Sequence, residues 1–327
     1  MASLTEWPKS VNLKSSEVNK MKGEILRALR ESGDYVSGES LSKELGTSRV
    51  SIWKHIHRLE QDGYTVEASP KGYRLLSSPD LLIPCEFPGL EQRIHHFREI
   101  GSTMDAARKL AEGGVEQGTI IVAESQSHGR GRLSKEWLSP EGGIYFTVVL
   151  RPKISPIYAP RMNLMASVAV ATTIRRLFGL KAELKWPNDV LIEGRKVCGI
   201  LAEMHAEVDA VHFINLGIGV NANAYVSQQE KKATSLKEQL GREVCRKEFF
   251  RSVLMELQER QALLTKADLV EEWKSLSATL NRDVRIVAPG EEIIGQAVDI
   301  DSGGALIIKG KDGSLRTAIA GDCIHLT

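Results

Sequence analysis

The chain has 327 residues, 42% of them hydrophobic, and sets 43 Lys and Arg against 42 Asp and Glu for a formal net charge of +1. Such a length exceeds one small domain and such a composition supplies packed cores, so a disordered or fibrous chain is excluded and two or three globular domains are expected. A nearly neutral chain is also no polycation, which leaves any nucleic-acid surface as a local one.

The opening segment "MASLTEWPKSVNLKSSE" has no apolar run, so residues 1–17 are expected to be a tail with no requirement for order, and no secretory leader is expected. Cys85, Cys198, Cys245 and Cys323 lie far apart with no C-x-x-C pair, which points away from a disulfide framework and a zinc site and toward a reducing cytoplasm. The histidines show no H-E-x-x-H or similar spacing, so no metal site is expected. The longest helical apolar stretch, around "LMASVAVATTI", is too short to span a bilayer, and no membrane partner is expected.

Residues 18–79 predict three helices and a short hairpin. In "GESLSKELGTSRVSIWKHIHRLEQDGY" a helix runs to Leu45, turns at Gly46 and restarts after a cap at Thr47 or Ser48. Helical spacing puts Ile52, Ile56 and Leu59 on one face with Trp53 beside them, and Ser51, Lys54, His55 and Arg58 on the other. An apolar face for a support helix and a face of donors for phosphates and base edges are what a DNA recognition helix needs. "YTVEASPKGYRLL" then reads as a wing with Lys71-Gly72 at its tip. The basic face and basic wing tip together favour DNA over a protein-protein module, with Ser51, Lys54, His55, Arg58 and Lys71 as contacts.

Pro79, Pro84 and Pro88 within residues 77–89 oppose helix and central strand and mark a linker. A mixed α and β region is expected over residues 80–276. From 277 to 327, turn signals at Pro289-Gly290, Gly303-Gly304 and Asp312-Gly313 punctuate short strands, as in a small barrel.

Within the central region "GSTMDAARKLAEGG" predicts a helix opening at Ser102, with a capping box to Asp105. Its amides and the Ser102 and Thr103 hydroxyls suit a polar ligand group, although such boxes commonly only begin helices. "GTIIVAE" reads as a buried strand feeding "SQSHGRGRLSKEW". That loop matches neither phosphate fingerprint: a dinucleotide loop needs glycine at position 134, which is Ser134, and a Walker loop needs G-x-x-x-x-G-K-[ST]. It presents the Arg130 and Arg132 guanidiniums with bare backbone, suited to a carboxylate or phosphate and equally compatible with a solvated loop. "AELKWPNDVLIEGRKVCGILAEM" predicts a strand stopped by Pro187, then a hairpin turning at Glu193-Gly194. Alternation places Lys196 at its mouth on one face with Cys198, Ile200 and Ala202. "NLGIGVNAN" adds bare backbone at Gly217 and Gly219.

The combination of "GSTMDAA", "AESQSHGRGRLSKEW", "KWPNDVLIEGRKVCGILAE" and "GIGVNAN", in this order, resembles the bacterial biotin protein ligases. With the winged helix and barrel it is similar to the bifunctional members that also repress biotin synthesis. The resemblance implies an α+β fold: an N-terminal winged helix-turn-helix, a central mixed β-sheet like those of lipoate ligases and class II synthetases, and a C-terminal SH3-like barrel. It implies activation of biotin by ATP with Mg2+ to biotinyl-5'-AMP, and transfer to a lysine of a biotin carboxyl carrier protein of acetyl-CoA carboxylase. Biotin is then expected at Ser102, Thr103, Met104, Gln126, Arg130, Gly131, Arg132, Lys196 and Gly199, and the nucleotide at Gly129, Trp137, Asn188, Asp189 and Asn221. Arg130, Arg132, Lys196 and Asp189 carry the chemistry. The resemblance further implies a homodimer that, when loaded with adenylate, binds a palindromic operator. Many relatives follow GRGR with glycine and another basic residue, whereas here "LSKE" intervenes, and Lys135 has no assigned role. A lipoate-type ligase and a ligand-sensing regulator without ligase activity are the alternatives.

Overall fold

A computed structural model describes residues 13–207, 211–288 and 290–326. It divides between His95 and His96 into two compact units.

The first unit holds α1 (Leu13–Ser32), α2 (Gly38–Glu44) and α3 (Arg49–Gln61), followed by the antiparallel hairpin β1 (Thr65–Ser69) and β2 (Gly72–Ser77). Because α1 begins at Leu13, the last residues of the expected tail are helical, and residues 1–12 lie outside the described residues. Ser37 and Ser48 open α2 and α3 by accepting the amide protons of Ser40 and Ser51, groups that a first helical turn leaves without partners. Ile25, Leu26, Leu29, Leu41, Ile52, Ile56 and Leu59 form one core, as the helical spacing requires. The wing is pinned to the α1–α2 connection by paired bonds between Val36 and Tyr73 at 2.9 Å. Gly72 permits this, since a Cβ there would lie 2.1 Å from the Val36 carbonyl oxygen.

The proline-rich segment is packed, and the compact unit continues past the expected boundary at residue 79. Ile83 and Cys85 join the helical core, and buried Glu86 accepts bonds from Arg30 at 2.9 and 3.0 Å and from the Tyr64 hydroxyl. Apolar side chains set between the prolines give this stretch something to bury.

In the second unit β3 (Ile94–Ile100, begun at its edge), β4 (Thr119–Gln126), β5 (Ile144–Leu150), β6 (Ala182–Lys185), β7 (Asp189–Ile192), β8 (Arg195–Ala206) and β9 (Val211–Val220) form one sheet in the order β3-β4-β5-β9-β8-β7-β6. The pairs from β4 to β6 are antiparallel. Around the sheet run α4 (Thr103–Glu112), α5 (Arg161–Phe178), α6 (Leu236–Leu240), α7 (Arg246–Gln261) and α8 (Ala267–Ser275). α4 packs on β4, β5 and β9, while α5 packs on β6, β8, α7 and α8. The nearly complete burial of α5 explains its apolar sequence. Beneath the sheet, buried Glu124 meets His96 and Arg246 at 2.8 Å each.

Five strands close the chain: β10 (Asp283–Ala288), β11 (Glu291–Ile300), β12 (Leu306–Lys309), β13 (Leu315–Ala318) and β14 (Asp322–His325), in the order β13-β12-β11-β10-β14. This antiparallel sheet is tied to the edge of the large one. Leu184 exchanges backbone bonds with Leu276 and Ala278, Trp186 N–H donates to Thr279 Oγ1 and the Trp186 indole donates to the Gly304 carbonyl at 3.0 Å.

Candidate functional site

A cavity of about 410 Å³ opens over β8 and β9 between the 129–137 loop, the start of α4 and the first residues of β14. Most of the expected residues meet there: Thr103, Met104, Gln126, Arg130, Gly131, Arg132, Trp137, Asn188, Asp189, Lys196 and Gly199 all line it. A second cavity of about 670 Å³ shares Trp137, Asp189, Lys185, Lys196 and Lys232 and adds Asn221.

The polar part of the wall is built by α4 and β4. Gln126 Oε1 accepts from the Thr103 amide at 2.8 Å and the Thr103 hydroxyl at 3.0 Å, and Gln126 Nε2 donates to Ser139 Oγ at 2.8 Å. Thr147 Oγ1 donates to Thr103 Oγ1 at 3.0 Å, which completes a neutral relay. The expected capping box does not form. Ser102 occupies the N-cap position but makes no capping bond, while the first helical amide, that of Thr103, is taken by Gln126. Ser102 is 3% exposed and its hydroxyl has no protein partner. It lies outside the lining of the cavity, as does Gly129, whose carbonyl accepts the Trp137 amide at 2.8 Å.

The floor depends on missing side chains. A Cβ at Gly219 would lie 2.4 Å from the Trp137 indole nitrogen, one at Gly199 2.9 Å from the same ring, and one at Gly217 2.5 Å from Met104 Sδ. The bare backbone of "GIGVNAN" is therefore the seat of Trp137 and Met104. Lys196 Nζ stands 5.0 Å over the Trp137 ring, a cation-π arrangement.

Lys196 reaches this face through a bulge. Val190 pairs with Cys198 but Leu191 with Lys196, so Val197 is an extra residue and the alternation that would align Lys196 with Cys198 is broken. Lys196 instead shares the face of Gly199, whose Cβ would touch its Cε at 3.1 Å, while Cys198 is fully buried and its thiol pKa pushed up by burial. Lys196 Nζ is 2.7 Å from Asp189 Oδ1, a charge contact without hydrogen-bond angles.

The two loop arginines differ. Arg130 is held by carboxylates, Asp105 at 2.8 Å and Glu203 at 2.6 Å. Arg132 donates to neutral acceptors, Asn188 Oδ1 at 3.2 Å and the Gly321 carbonyl at 3.3 Å. Burial pulls its guanidinium below the ordinary value, with Asp322 and Asp189 acting in the opposite direction. Asn188 is 8% exposed and also donates to the Ile200 carbonyl at 2.6 Å, so it orients Arg132. Asn221 ties the end of β9 to the Thr234 carbonyl at 3.1 Å. Sequence reasoning missed Lys185, Lys232 and Asp322 in the cavity wall and Glu203 as a partner of Arg130. Lys185, just ahead of Trp186 in "LKWPND", carried a signal; the others are brought in by folding alone.

On the winged helix, Lys54, Arg58 and Lys71 are exposed and Ser51 partly so. His55 departs from the expected face: it is 8% exposed, and burial, with Arg58 and Lys22 nearby, pushes its imidazole pKa down. Trp53 departs the other way. It is 50% exposed beside Val50 at 62%, stacks on His57 with ring centres 4.7 Å apart, and faces a groove that ends at Ser69 and Pro70 of the wing.

Three family models match in order: the HTH domain over residues 23–74, the biotin/lipoate A/B protein ligase family over 97–221, and the biotin protein ligase C terminal domain over 279–326. The bifunctional ligase/repressor BirA of Bacillus spizizenii is 34% identical across 90% of this chain and 95% of its own. The chain belongs to the bifunctional biotin ligase/repressor family. A biotin--[acetyl-CoA-carboxylase] ligase of Mycobacterium tuberculosis is 33% identical over 70% of this chain and 87% of its own. Among solved structures, biotin protein ligase from Aquifex aeolicus in complex with biotin and ATP superposes with a TM-score of 0.62 at 28% identity, covering 72% of this chain and 98% of that one. Among the described residues no helix is long and apolar enough to cross a membrane.

Proposed function

We propose that this cavity joins biotin to ATP and passes the biotinyl group to a carrier-protein lysine. The observation that carries the reading is one cavity whose lining combines a neutral hydrogen-bonding pair, Thr103 and Gln126 backed by Ser139, with Arg132, Lys196, Lys185 and Lys232. The pair suits the ureido end of biotin. The cations suit two anions that must meet: a biotin carboxylate oxygen attacks the α-phosphorus of ATP, and pyrophosphate leaves. In a site shielded from water that approach is strongly repulsive, and fixed positive groups offset it without being consumed. Magnesium enters with the phosphates as MgATP, the usual habit of an ion that keeps its waters and uses few protein ligands. In the second step the carrier amine attacks the carbonyl carbon, AMP leaves, and Asp189, 2.7 Å from Lys196, is the carboxylate available to orient the amine and take its proton. Trp137, seated on Gly199 and Gly219, offers its ring to the adenine.

The winged helix gives the second activity: repression by a cytoplasmic homodimer that binds a palindromic operator when loaded with adenylate. Lys54, Arg58 and Lys71 contact phosphates, and the functional divisions are the winged helix with its packed proline-rich segment, the catalytic sheet and the C-terminal barrel.

Incubating the protein with labelled biotin, MgATP and an acetyl-CoA carboxylase carrier domain tests the first activity. Label on the carrier lysine is expected; no transfer, or adenylation of lipoate in place of biotin, would falsify the ligase reading. For the second, replacing Lys54 and Arg58 by Ala removes two cations from each protomer of the dimer and should lower the salt dependence of operator binding, log K against log salt, by about four. An unchanged slope removes them from the interface.

A further inference from the structure

The segment "LSKE" is explained by what lies across from it. Leu133 and Ser134 both have left-handed backbone, with φ of 52° and 58°, a conformation that residues with side chains adopt only when their surroundings hold them there. Within the loop, Gly131 N–H donates to the Lys135 carbonyl at 2.8 Å and Lys135 N–H to the Arg132 carbonyl at 3.0 Å. The Trp137 amide closes the loop on the Gly129 carbonyl at 2.8 Å, and further holds come from outside. On one side Arg130 is paired with Asp105 and Glu203. On the other, Lys135 forms an ion pair with Asp322 at the start of β14, and Arg132 donates to the Gly321 carbonyl next to it. That turn is itself fixed: Gly321 has φ 136°, and a Cβ there would lie 2.7 Å from Ile286 Cγ2 in β10.

We propose that Asp322 is a positioning residue which, acting through Lys135, keeps the 129–137 loop closed over the activated intermediate, so that the C-terminal barrel sets how long the adenylate is retained. The proposal rests on the reading of this cavity as an adenylate-forming site. Biotinyl-adenylate is a mixed anhydride that water destroys, and the loop over it limits loss. Lys135 and Asp322 are 64% and 33% exposed, so the pair is a modest one, of the size that shifts an open–closed equilibrium by a few fold.

The test uses the full chain. Labelled biotin and MgATP are bound, unlabelled biotin is added, and the half-life of enzyme-held biotinyl-adenylate is followed by rapid filtration. Asp322→Asn and Lys135→Ala should each shorten it about two- to fivefold, the double variant no further than either single one. The reversed pair, Lys135→Asp with Asp322→Lys, should return it toward the wild-type value. Added salt should shorten the wild-type half-life and leave that of Asp322→Asn nearly unchanged. Lys135→Ala lies on an exposed loop and leaves the barrel intact, so a folding defect in Asp322→Asn cannot mask the answer. Wild-type retention in Lys135→Ala, multiplied losses in the double variant, or a reversed pair as leaky as the singles overturns the proposal while the ligase reading stands. A wild-type protein that forms no adenylate overturns both.

Discussion

Arg130 and Arg132 look equivalent in "GRGR", yet folding gives them different work. Arg130 spends its charge on Asp105 and Glu203, whereas Arg132 faces the cavity with only neutral acceptors. An anion gains most from the cation that is not already neutralised. Arg132→Ala should therefore lower the rate of biotin-dependent ATP–pyrophosphate exchange about 100- to 1000-fold, and Arg130→Ala should do so less; equal losses would show that the carboxylates release Arg130 on binding. A second residue-scale effect concerns pH. Burial, with Lys185 and Arg282 adding, pushes the His325 imidazole down to about 4, below its ordinary value near 6.5. The unfolded chain thus takes up a proton in this window that the fold resists, so stability is full above pH 6.5 and falls as pH drops toward 4. The urea midpoint should fall less between pH 7.5 and 5 in His325→Gln than in the wild type; parallel decreases would remove His325 as a source.

At the scale of elements, what the sequence disclosed and what it hid have physical reasons. The α3 core face was legible because Ile52, Ile56 and Leu59 recur at helical spacing, and that burial is decided locally. His55 and Trp53 were misread because each sits at the margin of the stripe, where neighbouring elements decide which side chain is covered. The β7–β8 hairpin was legible from its turn, where Glu193 and Gly194 have φ of 51° and 73°. The face of Lys196 was not, since a single extra residue inverts alternation and leaves no mark in composition. The glycines of β9 were visible as bare backbone without stated occupants; those are Trp137 at Gly219 and Met104 at Gly217, both supplied from far earlier in the chain. Gly219→Ala should unseat the indole, raising the KM for ATP with a smaller effect on the KM for biotin, and steady-state kinetics with each substrate varied would register it. Equal changes in both would mean that the sheet itself had shifted.

For the whole molecule, two activities on one chain impose a reciprocity. If adenylate tightens operator binding by some factor, operator DNA must tighten adenylate binding by the same factor. Titrating adenylate with and without operator, and operator with and without adenylate, should return equal ratios; unequal ones would mean that dimerisation enters one measurement and not the other. The indole of Trp186, 2% exposed, finds its acceptor in the Gly304 carbonyl, and the backbone of Leu184 finds partners in Leu276 and Ala278. A recombination event that replaced the barrel alone would have to bring matching acceptors with it or strand a buried indole. The catalytic sheet and its barrel can therefore be exchanged only as one piece.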